Sequence, residues 1–245
     1  MEIKYTETVW NGFKSLNFTF EDRNAILVLP GNPTPDKKWL IKTEYFGAFP
    51  NFEIEMLKRG YHLAYLANVT RWMHPSDIDA KARFADFLSE KFGLNKKCVP
   101  VGMSCGGLHA VYFAAKHPEY IASLYLDAPV MNLLSCPYGI ADKAQPGFVE
   151  EFERATGKTI SEMINYRNHP IDNAPKLIEN KIPVILVAGD SDSVVPYHEN
   201  GKALFELYKL CGGEIELYLK PGCDHHPHGL SDPTPIIDFV EKHYK

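Results

Sequence analysis

The sequence predicts an α/β fold, a mostly parallel central sheet with helices on both faces. Three observations predict it. Short apolar runs of strand length alternate with longer stretches of helical spacing, the rhythm of strand–helix–strand units. The run Ile182-Pro183-Val184-Ile185-Leu186-Val187-Ala188 is apolar throughout, as a strand covered on both faces must be. Glycines and prolines fall between the runs, at Pro30-Gly31, Gly60 and Gly93, where the chain has to turn.

In chain order, Phe18 to Phe20 and Ala25 to Leu29 read as early strands, the second closed by Pro30-Gly31. A helix fits Phe52 to Lys58 and a strand Tyr61 to Leu66. Asp77 to Phe92 is helical, with Ile78, Ala82, Ala85, Leu88 and Phe92 near one face and Gly93 as its stop. Cys98 to Met103 is a strand, Leu108 to Lys116 a helix and Ile121 to Leu126 a strand. Ile182 to Ala188 (strand), Gly201 to Leu210 (helix), Ile215 to Leu219 (strand) and Pro235 to His243 (helix) complete the series. Only 131–172 breaks the rhythm. It holds aromatics (Tyr138, Phe148, Phe152, Tyr166) and one helical stretch near Phe148 to Ala155, and it reads as a small cap inserted into a single domain of residues 1–245.

Composition narrows the function classes. With 26 basic against 31 acidic residues the formal charge is −5, so the chain lacks the basic surface that phosphate backbones require, and no nucleic-acid partner is expected. Unbroken apolar runs are far shorter than a membrane helix needs. The N-terminus has no signal-peptide pattern, which makes a cytoplasmic location the expectation. Cys98, Cys105, Cys136, Cys211 and Cys223 form no C-x-x-C pair and are expected as free thiols.

The chemistry-bearing residues sit after predicted strands. Gly102-Met103-Ser104-Cys105-Gly106 is a G-x-S-x-G pentapeptide between a strand and a helix, the setting in which a sharp turn presents a serine at the C-terminal edge of a sheet. A serine hydroxyl needs a base, and the base an orienting acid. Asp190 or Asp192 follows the strand ending at Ala188. His225, His226 or His228 follows the strand ending at Leu219. The order Ser, Asp, His matches that elbow architecture. The Cys223, Asp224, His225, His226, His228 cluster also invites a metal reading. Its short loop with Pro227 and its lack of a spaced partner argue against one, so neither metal nor cofactor is expected.

On Gly102-x-Ser104-x-Gly106, Gly189-Asp190-x-Asp192-x-Val194-Val195-Pro196 and Gly222-x-x-His225, the chain resembles the α/β-hydrolases over essentially its whole length. Asp127-Ala128-Pro129-Val130, Asn168-His169-Pro170-Ile171-Asp172-Asn173 and His225-His226-Pro227-His228-Gly229-Leu230 bring it closer to bacterial prolyl-oligopeptidase-like and esterase-like serine hydrolases. The resemblance implies Ser104 as nucleophile, Asp192 rather than Asp190 as acid and His225 as base. The oxyanion hole would use the N–H of Cys105, which follows the nucleophile, and one from the loop after Leu29. Pro30 and Pro33 carry no N–H, and the register of the resemblance favours Asn32 over Gly31. Trp72, Met73 and His74, with Tyr138, Phe148 and Tyr166, are candidates for an aromatic substrate pocket, and His226 for a substrate contact.

The expected activity is hydrolysis of small carboxylic esters, including O-acyl or acetyl esters of carbohydrates, through an acyl-enzyme. A small peptidase or amidase, an acyltransferase, and a non-catalytic receptor on the same fold are the alternatives. The large propeller that prolyl-oligopeptidase-type peptidases generally add does not fit within 245 residues.

Overall fold

The computed structural model describes residues 4–72 and 74–244. Its nine strands are β1 (Tyr5–Trp10), β2 (Phe13–Phe20), β3 (Arg23–Val28), β4 (Trp39–Lys42), β5 (His62–Leu66), β6 (Val99–Met103), β7 (Leu124–Asp127), β8 (Val184–Gly189) and β9 (Ile215–Lys220). They form one sheet in the order β1-β2-β3-β5-β4-β6-β7-β8-β9. From β5 to β9 all neighbours are parallel, whereas β1, β2 and β3 form an antiparallel meander that joins through β3 antiparallel to β5. Two-residue turns make the meander. Asn11-Gly12 and Glu21-Asp22 all have positive φ, the geometry that matches the twist of paired strands. The Asn-Gly pair is the sequence signal for the hairpin that adds β1, a strand outside those expected from the apolar runs.

Among the described residues there are eight α-helices, six of which cover the sheet. On one face lie α1 (Asn51–Lys58) and α8 (Thr234–His243). The other carries α2 (Pro75–Phe92), α3 (Cys105–Lys116), α6 (Ala174–Glu179) and α7 (Gly201–Leu210), while α4 (Val149–Thr156) and α5 (Ile160–Ile164) belong to the excursion between β7 and β8. The period-2 alternation of strands splits the core in two. Trp39, Ile41, Leu124, Leu126, Val184 and Leu186 pack with Phe84, Leu88 and Leu108. Leu40, Val99, Val101, Tyr125, Ile185 and Val187 pack with Phe52, Met56, Ile236 and Val240. All five cysteines are unpaired, and none of the described helices is long and apolar enough to cross a membrane.

Strand β4 was not anticipated. It has four residues, follows Lys37-Lys38 and ends on a lysine, so its apolar run is too short to stand out. The Lys42 ammonium is buried between the sheet and α1, 2.5 Å from Glu53 Oε1 and 3.1 Å from Met103 Sδ. Removing one member of such a pair leaves the other charge buried alone. Lys42→Met therefore lowers unfolding free energy by about 3–5 kcal/mol, whereas the paired replacement Lys42→Met/Glu53→Leu recovers most of it. Urea unfolding of the three proteins checks this.

The excursion between β7 and β8 is tied down by buried polar groups. Asn200 Oδ1 accepts from the N–H groups of Met131 and Asn132 at 2.9 and 3.0 Å. His169 Nδ1 accepts from Leu133 N–H at 3.1 Å, and Asp172 in turn accepts from His169 N–H at 2.8 Å. Tyr138, inside it, and Trp72, from the loop after β5, both meet the buried Phe152 of α4 edge-on.

Candidate active site

The turn from β6 into α3 is built by small residues. Ser104 has φ 52° and ψ −122°, a strained conformation for a residue with a side chain. Its N–H donates to Asp127 O, and its carbonyl accepts from Gly107 and Val130 N–H. A Cβ at Gly102 would lie 2.8 Å from Gly106 O and from Gly107 Cα. One at Gly107 would lie 2.3 Å from Pro129 Cβ, so neither position admits a side chain. The side chain of Ser104 is thus forced to the C-terminal edge of the parallel strands.

The structure brings Ser104, Asp192 and His225 together. His225 Nε2 lies 3.1 Å from Ser104 Oγ, and His225 Nδ1 lies 2.8 Å from Asp192 Oδ2. Asp192 Oδ1 accepts from Val194 and Val195 N–H at 2.9 and 2.7 Å, which locks the carboxylate plane. Asp190 is exposed and accepts from Gly222 N–H and Ser191 Oγ–H, so it holds the two loops together without facing the histidine. Asp224 accepts from Ser193 and from the backbone N–H of His225. These bonds hold its carboxyl below the usual carboxylate range. It anchors the histidine's backbone and makes no bond to the ring.

Asn32 is not at this site. Strand β3 runs antiparallel to β5, so the loop after it leaves from the opposite sheet edge. There Thr34 N–H donates to Gly60 O, ahead of β5, and Asn32 O would lie 2.5 Å from a Cβ on Gly60. A strand's length, about 15 Å, separates that edge from Ser104. The loop that does reach the elbow follows β4. Thr43 N–H and Oγ–H donate to Val101 O at 3.1 Å, and the hydroxyl also lies 2.7 Å from Gly106 O. Asn68 donates to Thr43 O and Glu44 Oε2, both at 2.7 Å, and accepts from the buried Lys81 ammonium. Tyr45 follows at φ 54°, with its N–H 3.2 Å from Glu44 Oε1. Cys105 opens α3, where the first N–H groups have no intrahelical acceptor. Burial pushes its thiol up to about 12, which keeps it protonated near neutral pH.

Ser104 and His225 open into a cavity of about 410 Å³ whose walls include Phe49, Trp72, Phe148, Cys136 and Val194. Tyr45 and Arg71 line it too, and Arg71 is engaged by Glu151 and stacks over Phe148, 4.5 Å from the ring centre. Of the residues expected in an aromatic pocket, Trp72 and Phe148 are in this wall, and so is His226, expected as a substrate contact. Tyr138 is not. It packs against Phe152 and its hydroxyl lies 3.1 Å from Glu153 Oε1 and from Lys158 O. Tyr166 lines a separate groove with Tyr112, Lys116 and Lys158. His74 caps α2, accepting from Ser76 N–H. Met73 lies outside the described residues. Burial and the neighbouring His225 and His228 hold the His226 ring below its usual range.

One pairing was missed from sequence. His228, buried, places Nδ1 2.7 Å from Asp127 Oδ1, and Asp127 also accepts from Gly229 N–H and the Tyr125 hydroxyl. This second histidine–carboxylate couple lies beside the first, with the two imidazole centres 4.8 Å apart. The Asp127-Ala128-Pro129 and His225-His226-Pro227-His228 stretches were its signal.

Residues 60–245 match the family model for the prolyl oligopeptidase family. Among solved structures, the chain is similar to acylaminoacyl peptidase from Pyrococcus horikoshii, at 14% identity and TM-score 0.69, over 100% of this chain and 42% of that one. It is equally similar to a truncated carbohydrate esterase from gut microbiota, at 14% identity and TM-score 0.69, over 92% of each chain. Est1E from Butyrivibrio proteoclasticus matches at 17% identity and TM-score 0.60, over 97% of this chain and 96% of that one. The chain spans 35% to 42% of the length of the peptidases it matches. These likenesses establish the α/β-hydrolase fold.

Proposed function

The chain belongs to the prolyl oligopeptidase family and is a serine hydrolase, and from that premise we propose that it hydrolyses small carboxylic esters through an acyl-enzyme, with O-acylated carbohydrates as a substrate class. The observation that carries this reading is the Asp192–His225–Ser104 hydrogen-bond chain opening into a small, mostly apolar cavity. Ser104 Oγ attacks the acyl carbon while His225 Nε2 takes its proton. Asp192 keeps the Nδ1 proton in place and stabilises the imidazolium. The developing alkoxide is received by the N–H of Cys105 and that of Tyr45, which exchanges its 3.2 Å contact with Glu44 Oε1 for the oxyanion. His225 then returns its proton to the alcohol and activates the water that frees the acid. The apolar walls exclude bulk water from the acyl group and give a peptide backbone few fixed partners. The near end-to-end match with a carbohydrate esterase and with Est1E supports ester over peptide.

A panel of short-chain p-nitrophenyl esters, acetylated sugars, aryl esters and aminoacyl p-nitroanilides tests the reading. The expected result is a kcat/KM for the best ester about 100-fold above that for any amide. Amides turned over faster than every ester overturn it in favour of a peptidase. A short-chain preference among esters is also expected, since about 410 Å³ lies at the low end of small-molecule sites.

A further inference from the structure

We infer that His225, His226 and His228 form a binding site for a borderline-soft divalent cation such as Zn²⁺, and that filling it switches the enzyme off. The three imidazoles cluster with His228 nearly perpendicular to the other two, at centre-to-centre separations of 4.8, 4.8 and 4.9 Å, and their ligand atoms lie within 4.8 Å of one another. Three neutral imidazoles suit zinc and copper better than magnesium or calcium. Two of the rings carry the outer partner that zinc-binding histidines use. Asp192 holds Nδ1 of His225 and Asp127 holds Nδ1 of His228, so each ring turns Nε2 and its lone pair to the other side. Both rings are buried and fixed. His226 is exposed at the rim, stacked on Phe49 at 5.3 Å, and is the ring free to swing. Zinc–nitrogen bonds of about 2.0–2.1 Å place tetrahedral donors about 3.4 Å apart, so the cluster closes by up to about 1.4 Å, with the exposed His226 ring moving most.

The consequence for catalysis follows from one atom. Each bond to the ion uses an imidazole lone pair, and that of His225 Nε2 is the one that accepts the Ser104 proton. Ser104 then keeps its proton and is not a nucleophile. Inhibition rests on the role proposed for His225, but binding does not.

Calorimetry of the full chain with Zn²⁺, and visible absorption with Co²⁺ as a spectroscopic stand-in, test binding directly. One equivalent is expected, with the absorption of a low-coordinate, nitrogen-bound Co²⁺ that Zn²⁺ displaces. His226→Ala, an exposed change whose fold circular dichroism verifies, is expected to weaken Zn²⁺ at least about tenfold. Ester turnover is expected to fall with Zn²⁺ occupancy and return with a chelator. No binding at millimolar Zn²⁺, or affinity unchanged by His226→Ala, overturns the site. Full turnover at saturation overturns the inhibition. If no ester is turned over at all, the proposed activity fails while calorimetry still decides the site.

Discussion

Replacing Ser104 with alanine is expected to lower ester turnover by about five orders of magnitude and to abolish labelling by a fluorophosphonate probe. The size follows from what the group does. Every later step, including the acyl-enzyme and its hydrolysis, depends on the one bond that Oγ forms, and the variant retains only oxyanion stabilisation and binding. The fold should not suffer with it. The Ser104 hydroxyl makes no capping bond to α3, and its 3.1 Å contact is to a histidine held independently by Asp192 and by the Asp224 anchor. Backbone strain at φ 52° is carried by the neighbouring glycines and by the bonds of the Ser104 N–H and C=O, none of which involves the side chain. Thermal unfolding of Ser104→Ala should therefore match the parent within a few degrees, and intact mass after probe treatment reads the loss of labelling. Labelling that persists in Ser104→Ala would show that another residue is the nucleophile.

That Ser104, Asp192 and His225 come together was legible in the sequence because each follows a strand of the parallel set, and parallel strands all leave on one edge. The second oxyanion donor failed for a reason of direction. An apolar run such as Ala25 to Leu29 announces a strand but not which way it points. Strand β3 is antiparallel, so its loop and Asn32 emerge on the far edge. The strand whose loop does reach the elbow, β4, has four residues, one of them the buried Lys42. A buried lysine reads as surface until its partner Glu53, eleven residues on, is seen beside it. The aromatic pocket was half legible for a related reason. Trp72 and Tyr138 both pack on Phe152, yet only Trp72, with Phe148 beside it, reaches the cavity wall, and composition cannot tell the two sides of a packed layer apart. The Asp127–His228 couple joins residues 101 apart, a contact that only the folded chain reveals.

Asp192→Asn is expected to cost about 10⁴ in kcat with little change in KM or stability, and the reason is which atom the amide presents to His225. Asp192 Oδ1 accepts from two backbone N–H groups, those of Val194 and Val195. An asparagine must keep its oxygen there, because its NH₂ would face two donors. The amide nitrogen is then left where Oδ2 stood, 2.8 Å from His225 Nδ1. Being a donor, it stabilises the tautomer with a lone pair on Nδ1 and a proton on Nε2. That tautomer meets the Ser104 hydroxyl with a hydrogen and has no lone pair to take its proton. Geometry is preserved and chemistry is lost, so the defect should appear in kcat. It should ease as pH rises, where serine ionisation no longer needs the histidine. Asp190→Asn is the matched control. That carboxylate is exposed, accepts from Gly222 N–H and does not touch the ring, so an amide oxygen can replace it, and activity should stay within a few-fold of the parent. Steady-state kinetics of the two variants across pH separates the roles. Equal losses in both would mean that the carboxylates act by holding the β8 and β9 loops together and not by setting the tautomer.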